Sequence, residues 1–240
     1  MIDLYHEDNL TVLPRLATNS IQLIYSDILF GTNKDFHDYS DKIDIERFYI
    51  PRFVEMRRVL SNTGLLYIHT DTTNGHYIKV ILDQIFGRAQ FRNEIIWYFN
   101  SSPRRKKDFG KRHHTIFRYS KSDDYVFYPI RVPYSKSAPR GYAKEQYYHP
   151  DGKVMDDVWI INSLGQNDKH ERTGYATQKP VALLDYIICS SSKEGDTVAD
   201  FFLGSGTTAV SALKNGRIFI GVDINERAIQ ITKERIKQYY

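Results

Sequence analysis

Apolar residues along this chain fall into short β-branched and aromatic runs separated by longer stretches in which they recur at helical spacing. Met1 to Tyr5, Ile21 to Tyr25, Leu65 to His69, Phe91 to Phe99, Thr197 to Phe202 and Ile218 to Val222 read as strands. Helices are predicted before Leu16, over Ile43–Leu60, over Asn74–Phe86, from Val181 onward, over Thr207–Lys214 and after Asn225. Pro51 predicts a kink or restart in the second of these, and Ser61-Asn62-Thr63-Gly64 its stop. Thr115–Tyr119 and Tyr125–Tyr128 read as a hairpin across a polar turn, and residues 129–172 show no sustained period. Strands alternating with helices imply an α/β domain built on a mostly parallel sheet.

The most ordered stretch runs from Thr197 to Asp223. A strand ends at Asp200-Phe201-Phe202, a tight turn Gly204-Ser205-Gly206 follows, and Thr207 opens a helix that stops at Asn215-Gly216. The next strand ends on Asp223. A glycine turn feeding a helix N-terminus, with an acid about 20 residues on, is suited to a nucleoside-bearing ligand whose ribose hydroxyls the carboxylate holds. Gly204-x-Gly206-x-x-Ala209 also satisfies the dinucleotide fingerprint, which keeps a nicotinamide-dependent oxidoreductase as an alternative. That fingerprint normally opens a domain, however, and here only Asn225 to Tyr240 follows.

Composition adds a contrast within the chain. The 240 residues are 41% hydrophobic and 26% charged, with a formal net charge of +4. Residues 101–150 hold 12 Lys and Arg against 4 Asp and Glu, with five of the eight prolines and ten aromatics. The charge excess is therefore confined to one turn-rich segment, as expected of a nucleic-acid surface. Arg104, Arg105, Lys106, Lys107, Lys111 and Arg112 form its densest part, followed by Arg131, Lys136, Arg140 and Lys144. These are the candidate phosphate or base-edge contacts, and Tyr142, Tyr147 and Tyr148 the candidate stacking residues. One cysteine, Cys189, allows no intrachain disulfide and no thiolate metal cluster, and His113-His114 lacks ligand spacing, so no metal site is expected. No apolar run is long enough to span a membrane, and a reducing, cytoplasmic compartment is expected.

Asp200-Phe201-Phe202-Leu203-Gly204-Ser205-Gly206-Thr207-Thr208 is similar to the cofactor motif of S-adenosylmethionine-dependent DNA amino-methyltransferases, which modify adenine N6 or cytosine N4. Thr177-Gln178-Lys179-Pro180 resembles the motif that precedes it in that family. Asp27-Ile28-Leu29-Phe30 resembles the catalytic motif, in which Asp, Asn or Ser is followed by two prolines and then Tyr or Phe; both prolines are absent here. The trailing Asn33-Lys34-Asp35-Phe36 and Tyr39 extend the likeness.

The resemblance implies a Rossmann-like methyltransferase sheet of about seven mostly parallel strands, helices on both faces, and a small DNA-recognition elaboration. Its motif order matches the circularly permuted β group, with a catalytic half at 1–99, a basic insertion at 100–172 and a cofactor half at 173–240. It implies S-adenosylmethionine at Asp8, Asp27, Lys179, Asp200, Phe201, Phe202, Gly204, Ser205, Gly206, Thr207 and Asp223. Lys179 and the helix N-terminus beside it would meet the methionine carboxylate. Asp27 and the Ile28 carbonyl would accept from the amine of a flipped-out base, with Phe30 stacked on it. Asp at position 27 favours adenine. Without prolines the loop would lose preorganisation, so restoring both is expected to raise transfer, and a DNA-binding relative with weakened turnover is the alternative. Double-stranded DNA is the implied partner, a homodimer and a cognate restriction endonuclease are further candidates, and the implied location is the nucleoid.

Overall fold

The computed structural model describes residues 1–32, 34–35, 40–100, 106–134, 149–165 and 167–239. Its strands are β1 (Ile2–His6), β2 (Ile21–Asp27), β3 (Leu60–Thr70), β4 (Phe91–Tyr98), β5 (His113–Ser120), β6 (Arg131–Val132), β7 (Lys153–Val154), β8 (Val158–Ile160), β9 (Thr197–Asp200) and β10 (Ile218–Asp223). The α-helices are α1 (Asn9–Val12), α2 (Ile45–Val59), α3 (Gly75–Phe86), α4 (Val181–Ser191), α5 (Thr207–Lys214) and α6 (Glu226–Ile236). None of the described helices is long and apolar enough to cross a membrane.

Eight strands form one sheet in the order β1-β10-β9-β2-β3-β5-β4-β8, and β6 pairs β7 separately. Only β5 runs against its neighbours in the large sheet. This is the expected mostly parallel α/β sheet, with one strand more than anticipated. Its central strands are covered on both sides, so they read as nearly continuous apolar runs. Ile21, Ile24, Leu66 and Ile68 face a core with Tyr49, Phe53 and Met56 of α2 and Ile78 and Leu82 of α3. Leu23, Tyr25, Leu65 and Tyr67 face the other core, with Leu183 and Ile187 of α4, Ala209 of α5 and Ile229 of α6.

The two ends of the chain meet at the centre of the sheet. Leu23 and Ile24 of β2 pair Val198 and Ala199 of β9. From β2 the sheet grows through β3, and from β9 it grows the other way through β10. A crevice opens at the carboxyl ends of two strands that diverge in this way. Asp27 ends β2 and Asp200 ends β9, so both acids stand at this switch point.

Several local expectations are corrected. α2 ends at Val59, where Ser61 to Gly64 are expected to stop it, but those residues lie within β3, which begins directly at Leu60, and not in a free turn. α2 runs unbroken through Pro51. Tyr125 to Tyr128 form no hairpin with β5, which lies instead between β3 and β4. Their amides turn elsewhere, Val126 N–H to the Thr63 carbonyl and Tyr128 N–H to the Ser190 carbonyl. The segment 100–172 is therefore not simply appended, since β5 sits inside the sheet and β8 extends its edge.

Candidate functional site

A cavity of about 750 Å³ lies at the switch point. Asp8, Asp27, Ile28, Phe30, Lys179, Asp200, Phe201, Phe202, Gly204, Ser205, Thr207 and Asp223 all reach its wall. Gly206 does not, and its part is to let the turn close. It is left-handed (φ 74°), and a Cβ there would lie 2.2 Å from Oγ1 of the buried Thr232. Arg235 of α6 donates to the Ser205 carbonyl at 2.7 Å, fixing the turn from behind.

Asp223 ties the ends of the cofactor-like motif together. Its carboxylate accepts from Gly204 N–H and from Asn225 N–H, each at 2.8 Å. Asp200 is buried, accepting from Thr208 Oγ1 at 2.6 Å and from Phe202 N–H at 3.0 Å. Burial pushes its pKa up to about 7, against those two hydrogen bonds and with help from the charges of Asp27 and Asp223. Asp223 is also raised, chiefly by burial. Asp8 is more committed than the sequence suggests. It caps α1 through Leu10 N–H, and both its oxygens accept from the single Nη2 of Arg52, at 3.0 and 2.9 Å.

Lys179 reaches across to Asp27. Its ammonium pairs with Asp27 Oδ2 and also donates to the Thr177 carbonyl at 3.0 Å. Thr177 has φ 58°, an outlier for a β-branched residue, placed where the chain must turn Lys179 into the cavity. The N-terminus of α4, expected beside Lys179 to meet a carboxylate, has its first amide already engaged. Val181 N–H already donates to Glu171 Oε1 at 2.7 Å, and Pro180 precedes the helix as its cap.

Asp27 Oδ1 is buried and has no hydrogen-bond partner among the described residues. His69 Nδ1 lies 3.7 Å from it and is bonded to the Tyr25 hydroxyl at 2.8 Å. His69 Nε2 meets His114 Nδ1 at 2.9 Å. Burial, then the Lys179 charge, holds both imidazoles neutral, His69 well below its ordinary pKa and His114 at about 3. The Asp27 carboxyl is raised by burial, with Lys179 opposing. Phe30 sits edge-on to His114 at 5.2 Å.

The loop after Asp27 is held without prolines. Ile28 N–H donates to the His69 carbonyl at 3.2 Å, and the Leu29 carbonyl accepts from the Tyr49 hydroxyl at 2.5 Å. Asn74 Nδ2 donates to the carbonyls of Phe30 and Gly31 at 2.7 and 3.1 Å. Asp41 accepts from Gly31 N–H at 2.9 Å and from Thr32 N–H at 2.8 Å. None of Tyr49, Asn74 or Asp41 is singled out by the sequence, because no motif marks them.

Of the candidate DNA contacts, Lys106, Lys107, Lys111 and Arg112 are exposed. Arg131, in β6, donates to the Gly152 carbonyl at 2.8 Å, just before β7. Arg104, Arg105, Lys136, Arg140 and Lys144 lie outside the described residues, as do Tyr142, Tyr147, Tyr148, Asn33, Phe36 and Tyr39.

Residues 21–234 match a family model described as DNA methylase. The chain is 31% identical over 234 residues to the type II methyltransferase M.HpaI of Haemophilus parainfluenzae, spanning 93% of this chain and 70% of that protein. It is 29% identical over 250 residues to the DNA adenine methyltransferase YhdJ of Escherichia coli K12, spanning 96% and 81% respectively. Among solved structures, the M1.HpyAVI–SAM complex superposes with a TM-score of 0.68 at 21% identity, covering 99% of this chain and 100% of that one. The cytosine-N4-specific PvuII DNA methyltransferase does so with a TM-score of 0.70 at 18% identity, covering 98% and 86%. At those identities the structural likeness speaks for the fold. The dinucleotide reading of Gly204-x-Gly206-x-x-Ala209 gains nothing from these relatives.

Proposed function

We propose that this chain, which belongs to the DNA methylase family whose members modify adenine N6 or cytosine N4, moves a methyl group from S-adenosylmethionine to adenine N6 in double-stranded DNA. The observation that carries the reading is the single cavity in which Asp27 to Phe30 face Asp200 to Ser205 and Asp223. Its volume, about 750 Å³, suits a nucleoside-sized cofactor with room left for a base.

Asp223 is fixed by two backbone amides and keeps lone pairs for the ribose hydroxyls. Asp200 has no cation beside it among the bonded groups, and the cofactor's ammonium would supply one. On the other side, Asp27 Oδ1 is the open acceptor for an exocyclic N–H, while Lys179 holds Oδ2 in place. Accepting that N–H and a second one at the Ile28 carbonyl draws the amine nitrogen towards tetrahedral geometry and localises its lone pair. With S-adenosylmethionine bound, the cofactor would supply the methyl group on a sulfonium, and the nitrogen would take it in line as the S–C bond breaks to leave a thioether. Asp27 Oδ1, the acceptor already facing the amine, would take the proton that the methylated nitrogen sheds and pass it to solvent. Phe30 offers the face on which an extruded base stacks. Asp27, the acid that the resemblance associates with adenine, is the support for adenine over cytosine.

The test is transfer of labelled methyl from S-adenosylmethionine to DNA of mixed sequence, with the product nucleosides separated by mass spectrometry. N6-methyladenine is the expected product. N4-methylcytosine would overturn the choice of base. No transfer by protein shown to bind the cofactor would overturn the activity.

A further inference from the structure

The catalytic loop lacks both prolines that its family's motif uses to fix φ, yet six hydrogen bonds hold its backbone between Ile28 and Thr32. Their partners come from four separate places: His69 at the end of β3, Tyr49 in α2, Asn74 at the start of α3, and Asp41, nine and ten residues along from the amides it holds. Asp41 belongs to no helix or strand and is nevertheless almost completely buried, at 1% exposure. It places one oxygen on each of two successive amides, Gly31 and Thr32, and takes the Thr32 hydroxyl as well at 2.6 Å. Gly31 is left-handed (φ 64°), so the two amides converge in the manner of an anion-binding nest. Asn74 begins α3 but its side chain makes no capping bond there. It is spent on the Phe30 and Gly31 carbonyls instead, and two carbonyl partners fix which end of the amide faces them.

We propose that Asp41 and Asn74 are positioning residues for methyl transfer, holding by hydrogen bonds the Ile28–Thr32 backbone that prolines would otherwise fix. The proposal rests on the methyl-transfer reading of this cavity. Neither residue touches the reacting atoms. They act through the Ile28 carbonyl and the Phe30 ring, whose placement decides whether a base amine lies in line with the sulfonium methyl. The cofactor wall, built from residues 200–207 and 223, shares no hydrogen bond with either side chain.

Asp41→Asn and Asn74→Ala, made singly in the whole chain, separate positioning from folding. Each is expected to lower kcat at least tenfold, with the affinities for S-adenosylmethionine and DNA within twofold of the parent. Adding Leu29→Pro, which removes none of the six bonds, to the Asp41→Asn protein should restore kcat at least threefold. Should Asp41→Asn fail to fold, Asn74→Ala decides, because Asn74 is only half-buried and its side chain makes no capping bond to α3. A kcat within twofold of the parent in the folded variants would overturn the proposal. So would equal losses of kcat and cofactor affinity, or a Leu29→Pro change that rescues nothing. A parent protein inactive on every DNA would instead remove the methyl-transfer reading itself.

Discussion

Asp27 and Asp200 are carboxylates in one cavity, and what distinguishes them is the company each keeps. Asp27 has the Lys179 ammonium on one oxygen, whereas Asp200 has only a hydroxyl and an amide, and burial drives its pKa to about 7. Its ordinary value is near 4. The folded chain therefore binds a proton there between pH 4 and pH 7 that the unfolded chain has released. Cofactor-free protein should lose stability as pH rises through that window, on the order of 4 kcal/mol in all, and no more from this group above it. Denaturant melts of the parent and of Asp200→Asn, compared at pH 5 and pH 8, would show it; equal pH dependence would refute the assignment. The cofactor's ammonium should reverse the preference. Affinity for S-adenosylmethionine should fall towards tenfold per unit as pH drops below 7 in the parent, but not in Asp200→Asn, as titration calorimetry can measure. Asp27→Asn should leave that affinity within twofold and lower transfer at least a hundredfold, about 2.7 kcal/mol of barrier. Asp27, Lys179, Asp200 and Asp223 were legible in the sequence because each sits in a run with a recognisable local grammar. Asn74 and Arg235 were not, because what gives each its role is a backbone atom 30 or more residues away, and Asp41 was not, because no local motif joins it to the Gly31 and Thr32 amides ten and nine residues earlier.

Among the elements, the loop after Asp27 is where local reading misled most usefully. Its missing prolines suggested lost order, and restoring them suggested a gain. At position 28 the structure reverses that expectation. Ile28 donates its N–H to His69, which proline cannot do, and its side chain is 3% exposed within the core of α2 and α3. Ile28→Pro should therefore destabilise the protein by about 2–5 kcal/mol, from a lost hydrogen bond and a trimmed core side chain. It should also slow transfer; a chemical melt and a single-turnover assay would check both, and a faster, equally stable variant would contradict the account. The other misreadings share a cause. Ser61 to Gly64 look like a helix stop, and they do follow a helix, but they fall within β3, in the irregular stretch where its pairing with β2 passes from Leu60 to Leu65. Tyr125 to Tyr128 have strand-like composition, yet β5 already has β3 on one side and β4 on the other. Composition and period describe a segment, and neighbours decide what it pairs with.

Across the whole molecule, the alternation of strands and helices announced the α/β class, while the strand order lay in contacts that no local pattern records. That order is what gives the basic segment its place. Lys106, Lys107, Lys111 and Arg112 run directly into β5, whose first residues, His113 and His114, pair Tyr98 and Trp97. His114 also bonds His69 beside Asp27, and Lys111 approaches Thr73 just past the end of β3. The exposed cations thus lead into the strand that borders the loop after Asp27, in a chain whose residues outside 101–150 carry a net charge of −4. A duplex laid over the cavity would put its phosphates against them. If it does, log affinity for DNA should fall linearly with log salt concentration, with a slope of about −0.9 per neutralised phosphate. Replacing Lys106, Lys107, Lys111 and Arg112 with alanine should flatten the slope by up to about 3.6 and weaken every sequence alike. Phosphate contacts position the protein without reading bases, so the ranking of DNA sites should survive the change. Fluorescence anisotropy over a potassium chloride series measures both the slope and the ranking. At saturating DNA the rate of transfer should stay within threefold of the parent, since these side chains form no hydrogen bond to the loop residues 27–32. An unaltered slope would place the phosphates elsewhere, and a flattened slope with a reordered preference would make these residues readers of sequence.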